Sequence, residues 1–268
     1  MMVLARLALW SLLAFGGLLF AVEFIAHELG SWLGRRKIAG GTGQKEGAGV
    51  LVASLLGLLA FVLALTLSFA DQRFAERRAG TLSEANAIGT AWLRAKAIGQ
   101  PQGDETAKLL EEYADERLAF VRAAYDPATL VRIDERTRTL QSAIWDQVSA
   151  IVREWPNPVS TSLMTSLNEV FDATTAERFA SELKLPPQIF WLLLGLTLLG
   201  MGALGYQLAL MGARMRALAA MLALTWTVVI VDIIDLSAAR LGSIRTSTAA
   251  YEWTIQGFHA PPPRARPQ

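Results

Sequence analysis

The chain has 268 residues, 53% of them apolar, and a formal net charge of +1, and its mean hydropathy is positive. A charge near neutral leaves no global field for nucleic acid or an acidic substrate. The absence of cysteine excludes disulfides, thiolate nucleophiles, iron–sulfur ligation and cysteine-based zinc sites, and the two histidines, His27 and His259, stand too far apart in sequence for a His-rich metal site.

Four apolar runs stand out: Val3–Ala26, Ala48–Ala70, Gln188–Gly212 and Ala217–Leu236. At ~1.5 Å rise per residue each can cross a ~30 Å hydrocarbon core. Four transmembrane helices are expected, with a charged, helical stretch between the second and third. The first run is longer than the apolar core of a signal peptide and has no clear small-x-small cleavage site after it, so it reads as a retained helix. Glu23, His27 and Glu28 close it. They suit an interfacial helix end or, in principle, a divalent cation.

Gly30-Ser-Trp-Leu-Gly-Arg-Arg-Lys37 and Gly40-Gly-Thr-Gly43 then read as a basic, glycine-rich loop with Trp32 at the interface. From Ala48 no proline interrupts the chain until Pro101, so one helix can run out of the membrane as far as Ile98, where Gly99-Gln-Pro-Gln-Gly103 ends it. The polar stretch, about Asp71–Pro187, reads as all helix. Asp104–Tyr125 is rich in good helix formers, and Asp126-Pro127 breaks it. Leu130, Ile133, Thr137, Leu140, Ile144, Val148, Ile151 and Trp155 recur every three or four residues, an amphipathic stripe. Leu163, Leu167, Val170 and Phe171 continue the pattern after Trp155-Pro-Asn-Pro158. Thr174-Thr-Ala-Glu177 has the form of a capping box opening a last short helix. The tail, Pro261-Pro-Pro-Arg-Ala-Arg-Pro267, reads as disordered. These elements predict four domain-level segments: 1–70 with the first two spans, 71–187 as a helical extramembrane domain, 188–236 with the last two spans, and 237–268 as a C-terminal segment.

With four spans both termini and the polar domain share one side. The short loops carry Arg35, Arg36, Lys37, Lys45, Arg214 and Arg216, against Arg6 in the N-terminal tail. This bias places the loops inside and the domain outside, although Arg73, Arg77, Arg78, Lys184, Arg240 and Arg245 flank the helices on the domain side.

Local chemistry is sparse. Asp71, Arg73, Glu76, Arg77 and Arg78 gather where the second span leaves the membrane, and suit a pore mouth that attracts anions, lipid headgroup binding or a solvated ion-pair cluster. Asp232 and Asp235 lie three apart near the end of the fourth run, where pairing with Arg240, Arg245 or Arg73 competes with a cation site. Gly195, Gly200, Gly202 and Gly205 point to tight packing of the third span, where one interhelical hydrogen bond would satisfy Gln207. No nucleotide-binding, nucleophile-elbow or His-Glu-x-x-His pattern is present, so no catalytic residue, metal or cofactor is expected.

Arg73, Phe74, Glu76, Arg78 and Asn86 fall on the spacing of a helix-end motif in the bestrophin anion channels, with Ala75 in place of that motif's second aromatic residue. The stretch Glu84-Ala-Asn-Ala-Ile-Gly-Thr-Ala-Trp-Leu-Arg94, the pairs Asn168-Glu169 and Asp172-Ala-Thr174-Thr175, and Arg240-Leu-Gly-Ser-Ile-Arg245 together resemble the bacterial membrane proteins called bestrophin-like. That resemblance implies an all-α, ring-shaped homo-oligomer in the bacterial inner membrane whose second helix lines an anion path, with chloride or other small anions as the passing species and the domain in the cytoplasm, opposite to the charge bias. It implies constriction positions at Gly57, Phe61 and Leu65, which are spaced by four along one helix face. An apolar ring of this kind gates ions by dewetting, which Phe61 and Leu65 suit and Gly57 does not. The alternative is a packing face of small residues, Gly57, Ala60, Ala64 and Ser68. A second function class also stands: a non-conducting membrane module whose domain senses a signal or binds a partner through Leu140–Trp155 and Leu163–Phe171.

Overall fold

The computed structural model describes residues 12–39, 48–99, 101–123, 126–182, 185–213, 215–238 and 244–259. Among them are eight helices and no strand: α1 (Leu12–Ala39), α2 (Ala48–Ile98), α3 (Pro101–Arg122), α4 (Pro127–Glu154), α5 (Pro158–Glu182), α6 (Pro187–Leu210), α7 (Arg216–Ser237) and α8 (Ala249–Phe258). The fold is all-α. Among the described residues four stretches are long and apolar enough to cross a membrane: Leu12–Ala39, Ala48–Ile98, Pro158–Leu210 and Arg216–Ser237. The apolar part of the third is α6. The tail from Pro261 onward lies outside the described residues.

The chain divides into two compact units, Met1–Phe74 with Lys184–Ile244, and Ala75–Leu183 with Arg245–Gln268. In the first, Phe15 and Leu19 of α1, Leu59 and Leu63 of α2, Leu193 and Met201 of α6, and Ala223, Trp226 and Ile230 of α7 share one buried cluster. Outward-facing Val50, Leu58, Leu199, Leu218 and Leu224 give this unit the apolar surface that lipid favours over water. α1 and α6 cross at glycine. A Cβ on Gly30 would overlap the Gly202 carbonyl, and one on Gly205 would overlap the His27 carbonyl. Without side chains there, the backbones approach closely enough for the Ser31 hydroxyl to donate to the Gly205 carbonyl at 3.1 Å.

That crossing corrects the loop expected at Gly30–Lys37. Gly30 and Gly34 are helix-contact residues, and α1 continues to Ala39 with Arg36 and Lys37 in its last turn. α2 runs unbroken to Ile98 as expected, and Gly99 then takes the left-handed conformation, φ +64°, that a side chain resists.

The second unit packs the later part of α2 with α3, α4, α5 and α8. Its core contains Ile88, Leu110, Tyr113, Leu140, Ile144, Val148, Ile151, Leu163, Leu167 and Val170. Asp126 caps α4, its carboxylate accepting from the Ala128 and Thr129 amides at 3.3 and 3.2 Å. The hydroxyl and amide of Thr129 hold that carboxyl below its ordinary value. The capping box expected at Thr174–Glu177 does not form, because α5 passes straight through it. The Thr174 hydroxyl oxygen stands 2.8 Å from the Val170 carbonyl, and Glu177 pairs with Arg117. α8, which no pattern in the sequence announced, brings Tyr251 and Phe258 into the core.

Candidate functional site

α2 carries most of the residues singled out in the sequence. Its membrane part buries Val52, Leu59, Leu63, Thr66 and Ala70, a row spaced by three, four or seven. The face away from that row holds Gly57, Phe61 and Leu65, all exposed, with Phe61 60% and Leu65 43% open. Ala60, Ala64 and Ser68 are exposed too, and a Cβ on Gly57 would meet nothing within 4 Å. The small residues therefore do not pack against another helix of the same chain. In the second unit the helix also has an open face, where Ala79, Ser83, Asn86, Thr90, Leu93 and Ala97 recur at alternating spacings of four and three. That is the rhythm of a helix seam.

The charged segment splits by burial. Asp71, Arg73, Glu76 and Arg78 are exposed, whereas Arg77 is buried. The cluster is thus not uniformly solvated, since α2 turns Arg77 toward the interior. Asp232 and Asp235 separate as well. Asp232 is exposed, while buried Asp235 accepts from the Ile244 amide at 3.4 Å. Arg240 lies outside the described residues, and Arg245 is exposed in the second unit.

The second unit holds a buried polar network that the sequence did not reveal. Arg117 Nε donates to Glu84 Oε1 at 2.5 Å, and Nη2 donates to Glu84 Oε2 at 3.2 Å and to Glu177 Oε2 at 3.3 Å. The Tyr251 hydroxyl donates to Glu84 Oε2 at 2.6 Å, and that of Thr174 to Glu84 Oε1 at 2.8 Å. Gln141 Nε2 donates to the Tyr113 hydroxyl, which lies 2.7 Å from Thr174 Oγ1. Burial opposes the Arg117 charge, but the Glu84 carboxylate outweighs it and holds the guanidinium above its ordinary pKa. Burial, with the Glu84 charge beside it, pushes the Tyr113 hydroxyl up to about 12 and raises Tyr251 well above its usual value. The network joins α2, α3, α4, α5 and α8 by side chains whose polar groups answer one another, so its effect is to fix the domain's packing. The one available signal was Arg117 itself, a charge in the buried row Leu110, Tyr113, Arg117, Phe120.

The first unit also buries ionisable side chains. Glu23 is wholly buried in α1, where Thr227 of α7 donates to its Oε2 at 3.1 Å, and His27 lies one turn further on the same face. Neither residue sits at a helix end, since α1 extends well past both. No group of three or more acids and histidines among the described residues could hold a metal ion, and the cation reading of Glu23, His27 and Glu28 has no geometric support.

Against known proteins, the family model described as Bestrophin-like domain matches residues 17–251. No curated protein and no solved structure matches the chain.

Proposed function

The chain belongs to the bestrophin-like family, and on that premise we propose that this multi-pass membrane protein forms a homo-oligomeric anion channel of the bacterial inner membrane. The second unit is its extramembrane domain, inserted between the second and third spans. α2 lines the shared path. Phe61 and Leu65 form an apolar constriction that passes ions only when wetted, and Gly57 leaves the path wider at its own level. Chloride and similar small anions are the passing species, drawn to the mouth by Arg73 and Arg78.

One observation carries this reading. The face of α2 that holds Gly57, Phe61 and Leu65 is unpacked within the chain. An open face spaced like a helix seam continues along α2 in the second unit. One copy has too few membrane helices to enclose an aqueous path, so copies of α2 facing a common axis supply both the wall and the partner for that seam. The sensing-module alternative loses its surface. Leu140, Ile144, Val148 and Ile151, with Leu163, Leu167 and Val170, are the domain's own core rather than a docking stripe.

Purified protein in liposomes tests the proposal by chloride flux. The intact protein is expected as a closed oligomer, and Phe61→Ala is expected to raise flux several-fold by widening and wetting the constriction. A monomeric state in detergent and in lipid, or Phe61→Ala flux no greater than that of empty vesicles, overturns it.

A further inference from the structure

The geometry points to a phosphate-binding pocket inside the membrane unit, separate from α2 and independent of the channel reading. A cavity of about 170 Å³ is lined by His27, Ser31 and Arg35 of α1, Leu208 and Ala209 of α6, and Ala213, Met215 and Arg216 at the start of α7. That is far above the ~10–15 Å³ that one water needs. Residues 27, 31 and 35 stand four apart, so they present one row of α1 to the cavity. The glycine crossing of α1 on α6 holds that row against the end of α6.

The ionisable side chains that line the cavity, His27, Arg35 and Arg216, all carry N–H donors. Three of the last four carbonyls of α6 are already taken. Gln207, Leu208 and Ala209 accept from the amides of Met211, Ala213 and Gly212, each at 3.0 Å, in a turn that Gly212 closes at φ +73°. Ser31 spends its hydroxyl hydrogen on the Gly205 carbonyl. His27 is 3% exposed, and neither ring nitrogen has a hydrogen-bond partner. The Glu28 carboxylate stands 3.7 Å from its Nδ1, and Glu28 Oε2 takes Nη2 of Arg216 at 2.8 Å. Glu28 thus answers Arg216, while the cavity wall carries Arg35, Arg216 and the His27 imidazole. The bare N-terminus of α7, with no side-chain cap at Met215, adds its positive end.

Planar guanidinium forks favour an oxyanion over a halide, because paired N–H groups match paired oxygens. Trp32 lies beneath the Arg36 guanidinium at 3.9 Å on the same last turns of α1, a pairing suited to headgroup depth. The apolar remainder of the wall, Leu208, Ala209, Ala213 and Met215, suits the first methylenes of a phospholipid's acyl chains. The ligand is a phosphate group, supplied by an anionic phospholipid or by free phosphate.

Binding is measured on the delipidated full-length chain in detergent, with phosphatidylglycerol in mixed micelles and with inorganic phosphate as separate probes at matched ionic strength. Saturable binding of either probe is expected, weakened at least tenfold by Arg35→Gln with Arg216→Gln and unchanged by Lys37→Gln. Binding of phosphatidylglycerol alone identifies a membrane lipid, and binding of inorganic phosphate identifies a soluble ligand. Ala213→Phe, which fills the cavity and keeps every charge, should abolish binding even if the double variant does not fold. No saturable binding of either probe, equal displacement by chloride, or binding untouched by Ala213→Phe overturns the site.

Discussion

Two buried clusters, one in each unit, enclose ionisable side chains in opposite ways. In the helical domain Glu84, Arg117 and Glu177 are almost wholly enclosed, but hydroxyls from Tyr251 and Thr174 complete the shell around Glu84. In the membrane unit Glu23 and His27 are enclosed as tightly, with a single hydroxyl donated to Glu23 and no partner for Glu23 Oε1 or either imidazole nitrogen. A satisfied network locks packing, and an unsatisfied one is where a ligand or water is needed. Burial of an ionisable side chain alone therefore distinguishes nothing. What matters is whether the neighbours finish its hydrogen bonds.

Removing the central charge of the domain breaks this contrast most severely. Arg117→Met leaves Glu84 and Glu177 enclosed without a cation, a loss of roughly 3–5 kcal/mol, and urea or thermal unfolding of the domain should register it. A near-wild-type melt would mean that water reaches Glu84. Next come the glycines. Gly30→Leu drives a side chain into the Gly202 backbone and should cost ~1–3 kcal/mol or more as overpacking, read as a lower Tm in detergent. Gly57→Ala meets open space and should change stability by less than about 1 kcal/mol. If both substitutions are equally harmful, the face of α2 is already filled by another copy.

The third effect is silent at pH 7. Tyr113 and Tyr251 ionise above the ordinary tyrosine value in the folded domain. A raised folded pKa means that their contribution is intact below the unfolded pKa, ~10. It is lost as pH rises from there toward about 12, where Tyr113 ionises in the fold. Domain unfolding followed by circular dichroism should therefore fall off across that window, and Tyr251→Phe should shrink the fall. A domain whose stability is flat to pH 12 would show these hydroxyls to be solvated.

Much of the architecture was legible because its causes are local. Run length sets a span, the three-or-four spacing of Leu140, Ile144, Val148 and Ile151 sets a buried face, and Gly99 and Asp126-Pro127 set boundaries by backbone chemistry. Where a local signal met a distant partner, the partner prevailed. Gly30 and Gly34 look like loop residues until α6 lies against them. Thr174 and Glu177 look like a cap until Glu84 and Arg117 claim them. α8 is short, with no strong period of its own, and it gains its place through Tyr251 and Phe258 in a core built by other helices.

By itself, then, the sequence determined that this is a helical membrane protein, where most of its helices run, and the family to which its motifs lead. The tertiary structure decided which polar residues lie inside, which of them are answered, and which face of α2 is left uncovered. The reason is range. Helix formation and membrane partition depend on neighbours within a few turns. The environment of Arg117 or His27 is set by residues tens to hundreds of positions away.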